Sequence, residues 1–153
     1  MGYDGSDLGA AARSGKELRR RIGGFLAAQG KEHLVSAYLF GSVADGSNHR
    51  ESDVDIGVVL QRRHFPDRLT RSQERVRLLS GLIEATGRNE IDLVVLNDAP
   101  PRFQRAVVLG GERLLCLDPE QDVLFRRDAQ LLAADLDVFM RKMEPLKLEA
   151  LRK

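Results

Sequence analysis

The chain has 153 residues and carries 24 Lys and Arg against 23 Asp and Glu, a formal charge of +1. That length suits one domain with a sizeable core, and the interspersed, balanced charges give no ground for expecting direct nucleic-acid binding. A single cysteine, Cys116, rules out an internal disulfide; no apolar run reaches the roughly 18 residues of a membrane span, and the N-terminus lacks a signal-peptide layout, so the expectation is a cytoplasmic protein without a membrane partner.

Residues 1–13, rich in Gly, Ala and Ser, read as a flexible leader, with one domain over residues 14–153. Ser14-x-x-Glu17 has the form of a capping box, and Leu18, Ile22, Phe25 and Leu26 then make one helical face. Gly23-Gly24 inside that helix should cost about 1 kcal/mol each relative to Ala, so the helix needs docking to persist. Gly30 ends it. The apolar run Leu34–Phe40 reads as a buried strand that stops at Gly41-Ser42.

A second strand is predicted over Asp53–Leu60, where alternation sends Asp53 and Asp55 to one side and Val54 and Ile56 into the core. Beyond it, Pro66 is placed to open a helix whose apolar face is Leu69, Val76, Leu79 and Ile83, with the intervening arginines solvated and Gly87 as the stop. Ile91–Leu96 reads as a third strand, interrupted by Asp92. Asn97–Pro101 is a turn, Phe103–Leu109 a short helix ended by Gly110-Gly111, and Arg113–Leu117 a last strand. Asp118-Pro119-Glu120-Gln121 is a strong helix start, followed by the stripe Leu124, Leu131, Leu132, Leu136, Phe139, Met140 and Met143. That stripe is expected in the core, although the length of the helix leaves room for a partner contact. His33, His49 and His64 lack metal-ligand spacing, and neither a P-loop nor a dinucleotide fingerprint is present.

The chemistry concentrates between residues 39 and 96. Two carboxylates about 7 Å apart along a strand can share hard cations such as Mg²⁺, and a Gly-Ser turn in front of them offers backbone N–H groups and a hydroxyl to a phosphate. Each part alone is also what a solvated strand edge or an ordinary turn looks like. Asp92 tips the balance, because a charge inside an apolar strand costs several kcal/mol if buried unpaired. It belongs at an exposed strand end or beside a cation, where three carboxylates from two strands can form an oxygen cage.

Phe40-Gly41-Ser42, ten further residues, Asp53-Val54-Asp55, and then Ile91-Asp92-Leu93 resemble the signature of the DNA-polymerase-β-like nucleotidyltransferase superfamily. The small size makes the chain similar to the minimal nucleotidyltransferases, the MNT antitoxins paired with HEPN toxins. The resemblance implies an α+β fold, a small mixed β-sheet flanked by helices. It implies a catalytic, metal-binding set of Asp53, Asp55 and Asp92, two Mg²⁺ ions, ATP as co-substrate, and nucleotide contacts from Gly41, Ser42 and Ser52. Asp45 stands where relatives often carry Arg, and Arg50 lies in the same loop.

The implied reaction is transfer of AMP from ATP to a tyrosine of a partner HEPN ribonuclease toxin. Only about fifty residues follow Leu96, too few for the acceptor-holding domain of larger relatives, so the acceptor surface is expected from another chain. The chain lacks the Arg-x4–6-His motif of the HEPN member itself. Two alternatives accompany this reading: a binding-only antitoxin with a weak site, and an adenylyltransferase acting on a small molecule such as an antibiotic.

Overall fold

A computed structural model describes residues 5–41 and 53–151. Four strands, β1 (Leu34–Phe40), β2 (Val54–Leu60), β3 (Ile91–Val95) and β4 (Glu112–Cys116), form one sheet in the order β3-β2-β1-β4. β1 runs antiparallel to both β2 and β4, whereas β2 and β3 are parallel. A parallel pair needs a crossover, and helix α2 (Arg68–Thr86) supplies it. Helices α1 (Gly5–Ala27), α3 (Pro101–Gly110) and α4 (Pro119–Leu151) complete the α+β architecture, with a 3₁₀ turn at Leu96–Asp98.

Strand alternation divides the core in two. Val54, Ile56, Val58, Leu60, Leu39, Ile91, Leu93 and Val95 pack against Leu18, Ile22 and Leu26 of α1 and Leu78 and Leu82 of α2. On the opposite face, Val35, Tyr38 and Val59 pack against Val107 and Val108 of α3, with Phe125 of α4 alongside. Among the described residues no helix is long and apolar enough to cross a membrane.

Several boundaries and faces differ from expectation. α1 begins at Gly5, not at Ser14, so Ser14-x-x-Glu17 lies within a helix and caps nothing. Glu17 instead pairs with Arg20 and Arg21, which hold its carboxyl down at about 2. α2 is opened by Asp67, whose carboxylate accepts from the Thr70 backbone at 2.7 Å, and is closed by Gly87 in the left-handed region. Its buried stripe is Glu74, Leu78, Leu82 and Thr86; Leu69 and Val76 are 67% and 61% exposed. Leu79 and Ile83 are partly buried. The helix is rotated from the expected orientation so that Leu78 and Leu82 enter the core, and Glu74, carried inward on the same stripe, has its charge matched by Arg77.

α4 departs furthest. Its inner face is Asp122, Ala129 and Ala133, where small side chains let the helix approach closely. Leu131, Leu132, Phe139, Met140 and Met143, expected in the core, are exposed, as are Val123, Val138 and Leu146.

Candidate active site

The acidic residues meet where β1 ends and β2 and β3 begin. Phe40 pairs with Asp55 across β1 and β2, and Asp55 pairs with Asp92 across β2 and β3. Paired residues on neighbouring strands, about 4.8 Å apart, point to the same face. Asp55 and Asp92 therefore stand side by side, with Asp53 exposed one residue before β2. The Phe40 ring meets Phe103 of α3 edge-on at 5.5 Å, which makes an apolar wall on that face.

Gly41 follows β1 with φ of 75°, and a Cβ there would collide with Asp55 Oδ2. No other residue type combines that backbone with that closeness, so the main chain of the turn lies against the carboxyl. Burial, then the charge of Asp92, then that of Asp53 push the Asp55 carboxyl above its usual range. The group sits where negative charge accumulates.

Among the described residues no three His, Cys, Asp or Glu side chains are gathered as a ready-made metal cage. The donors nevertheless fit a hard divalent cation. They are carboxylate oxygens from register-paired residues whose mutual repulsion such an ion relieves. Gly41 is in place beside Asp55; Ser42 and Ser52, with Asp45, His49 and Arg50, lie outside the described residues. His33 and His64 stack at 5.5 Å near the opposite end of the sheet, away from the acids.

Two features were not anticipated from the sequence. A groove of about 290 Å³ along the outer edge of β3 is lined by Arg68, Ser72, Arg75, Asp92 and Asp98 and by the backbone side of the strand. The i, i+4, i+7 spacing of Arg68, Ser72 and Arg75 places them on one helical stripe, a signal hidden among the many arginines read as solvated. The second feature is Asp122, fully buried, which accepts from Ser36 Oγ and Tyr38 OH at 2.6 Å each and from Arg113 Nη1 at 3.0 Å. Arg126 donates to the same tyrosine oxygen at 3.2 Å, and burial followed by the Asp122 bond pushes the Tyr38 hydroxyl up.

The fold has solved counterparts. A crystal structure described as a toxin-antitoxin with AMP-PNP is 26% identical, with a TM-score of 0.62 over 87% of this chain and 98% of that one. The tri-AMPylated Shewanella oneidensis HEPN toxin in complex with MNT antitoxin matches at 22% identity and a TM-score of 0.59, over 90% of this chain and 98% of that one. The toxin-antitoxin MntA-HepT matches at 22% identity and a TM-score of 0.57, over 88% and 97%. The last two likenesses are of fold. No curated protein matches the chain. The family described as Polymerase beta, Nucleotidyltransferase matches residues 26–120, a span that includes Gly41, Asp53, Asp55 and Asp92. With that match covering well over half its length, the chain belongs to the polymerase beta nucleotidyltransferase family.

Proposed function

We propose that this chain is an MNT-type antitoxin that transfers AMP from ATP to a tyrosine of a HEPN-type ribonuclease toxin. The observation that carries the reading is the register pair Asp55 and Asp92, set against the Gly41 turn at one end of the sheet. Asp53, Asp55 and Asp92 would hold Mg²⁺, which when bound neutralises triphosphate charge and lowers the pKa of an attacking hydroxyl. The Gly41 turn, with Ser42 and Ser52, receives the phosphates. The acceptor oxygen bonds to the α-phosphorus, the bond from that phosphorus to pyrophosphate breaks, and Asp92, exposed on the edge strand, takes the hydroxyl proton.

The partner is supported by surface as well as by resemblance. The outward side of α4 exposes Leu131, Leu132, Val138, Phe139 and Leu146, an apolar face of the kind that protein partners cover. The structural neighbour determined with AMP-PNP is a toxin-antitoxin. AMP attached to the toxin tyrosine adds bulk and negative charge where a ribonuclease must receive RNA phosphates.

Intact mass spectrometry of a HEPN-type toxin co-incubated with this chain, ATP and Mg²⁺ tests the proposal. Mass additions of whole AMP units on a toxin tyrosine are expected. A toxin that is bound and silenced but unmodified would point to the binding-only reading. AMP on a small molecule instead would point to an antibiotic-type enzyme.

A further inference from the structure

The groove beside β3 has a composition that the nucleotide site does not explain. β3 is the edge of the sheet, and the groove follows it from Asp92 to Val95, about 10 Å of strand, and on to Asp98 in the 3₁₀ turn. Arg75 donates from Nε to the Leu93 carbonyl at 2.6 Å, which fixes its guanidinium on the groove wall. At the far end Arg71 grips Asp98 with contacts of 2.9–3.1 Å. Arg68 stands 4.0 Å from that same carboxylate with its side chain 77% exposed. Asp98 is already matched by Arg71, so Arg68 contributes a cation in excess of what the fold requires.

We infer that this groove is the acceptor channel: it takes an extended peptide segment whose hydroxyl side chain lies at Asp92 and whose nearby carboxylate is held by Arg68. The inference rests on the proposed transfer to a protein hydroxyl and names the chemistry of the segment that delivers it. The groove, about 290 Å³ and drawn out along the strand edge, has room for two side chains of an extended segment. Charge selects further. Arg68 and Arg75 offer cations to a single carboxylate, and with Asp92 and Asp98 interspersed on the same walls the groove lacks the unbroken positive track that the continuous phosphates of a nucleic acid need.

The geometry also sets the spacing. α2 runs against β3, bringing Arg75 to Leu93 and Arg68 to Asp98. Seven residues of α2 separate Arg75 from Arg68, so an extended segment with its hydroxyl residue at Asp92 reaches Arg68 about four residues along, at roughly 3.3 Å per residue. The segment is therefore a tyrosine with Asp or Glu three to five positions away, fitting Arg68 by a charge-assisted and bidentate contact.

Short synthetic peptides carrying one central tyrosine, flanked at that spacing by Asp and Glu or by Lys, test this on the full chain, with a short single-stranded RNA as a third probe. Fluorescence anisotropy on the wild-type protein should favour the acidic peptide about tenfold over the basic one, and Arg68→Glu should reverse the order. Circular dichroism confirms that Arg68→Glu folds, and Arg68→Ala, which should abolish the preference without reversing it, gives a second reading. Equal binding of both peptides, no binding of either, an acidic preference that survives Arg68→Glu, or RNA bound ahead of the acidic peptide would each overturn the inference. Toxin modified at tyrosine without a peptide preference sinks the groove and leaves the proposed function standing. A peptide preference with no modified toxin does the reverse.

Discussion

Asp122 and Asp55 project toward the same face of one sheet and live under opposite electrostatics. Asp122 is fully buried, and three donors from β1 and β4 converge on it, so its charge is answered within the fold. Asp55, two strand positions beyond the level of Tyr38, is surrounded instead by Asp92 and Asp53, and its carboxyl is pushed up by burial and by both of them. A carboxylate the fold has satisfied is a structural bolt joining α4 to β1. A cluster the fold leaves repelling itself is what the proposed function would relieve with a cation and a triphosphate.

Substitutions should separate the two clusters sharply. Asp55→Asn and Asp92→Asn are each expected to lower AMP transfer by about 10³-fold or more, measured as initial rates of AMP incorporation, while the proteins remain folded. Asp122→Ala should do the opposite. Removing it leaves the buried hydroxyls of Ser36 and Tyr38 without their acceptor, and urea denaturation should register a loss of roughly 2–5 kcal/mol. If Asp122→Ala unfolds like wild type, the network is ornamental and the contrast fails.

Between these lies Gly41→Ala, which adds strain at a positive φ and drives a methyl toward the Asp55 carboxyl. A destabilisation of about 1 kcal/mol or more is expected, with a fall in transfer rate as Asp55 is displaced. Denaturation and rate measured on the same preparation check both halves.

Legibility in the sequence followed the range of the interactions. Asp53, Asp55 and Asp92 could be marked because strand alternation and the cost of a charge in an apolar run are local arguments. Their pairing across β2 and β3 depends on register, which one strand does not encode by itself. Helix faces were harder. α4 has two apolar stripes, and the core takes the one built on Ala129 and Ala133 because closeness to the sheet outweighs side-chain size. Leu131, Leu132 and Phe139 look more core-like in isolation yet face outward. In α2 the core takes the stripe of Leu78 and Leu82, which carries Glu74 inward beside Arg77 and leaves Leu69 and Val76 exposed; a hydrophobic count penalises that stripe for its glutamate. Asp122 carried no local signal, since its partners Tyr38 and Ser36 lie 84 and 86 residues away in sequence.

The smallest expected effect carries the most information. Asp55 has a folded pKa raised above its unfolded value, so its stabilising contribution is complete below the unfolded pKa and is lost as pH rises through the folded one. Without metal, Asp55→Asn should therefore be more stable than wild type at neutral pH, and the gap should close as pH falls into the ordinary carboxylate range.

Melting temperatures of wild type and Asp55→Asn at neutral pH, each with and without Mg²⁺ and AMP-PNP, put the central claim to its most direct test. Without ligand the Asn variant should melt higher; with ligand the order should invert, because wild type alone retains the carboxylate that engages the cation. A variant that melts lower without ligand, or that gains as much from Mg²⁺ and nucleotide as wild type does, would contradict the assignment of Asp55 to a metal-assisted nucleotidyl-transfer site.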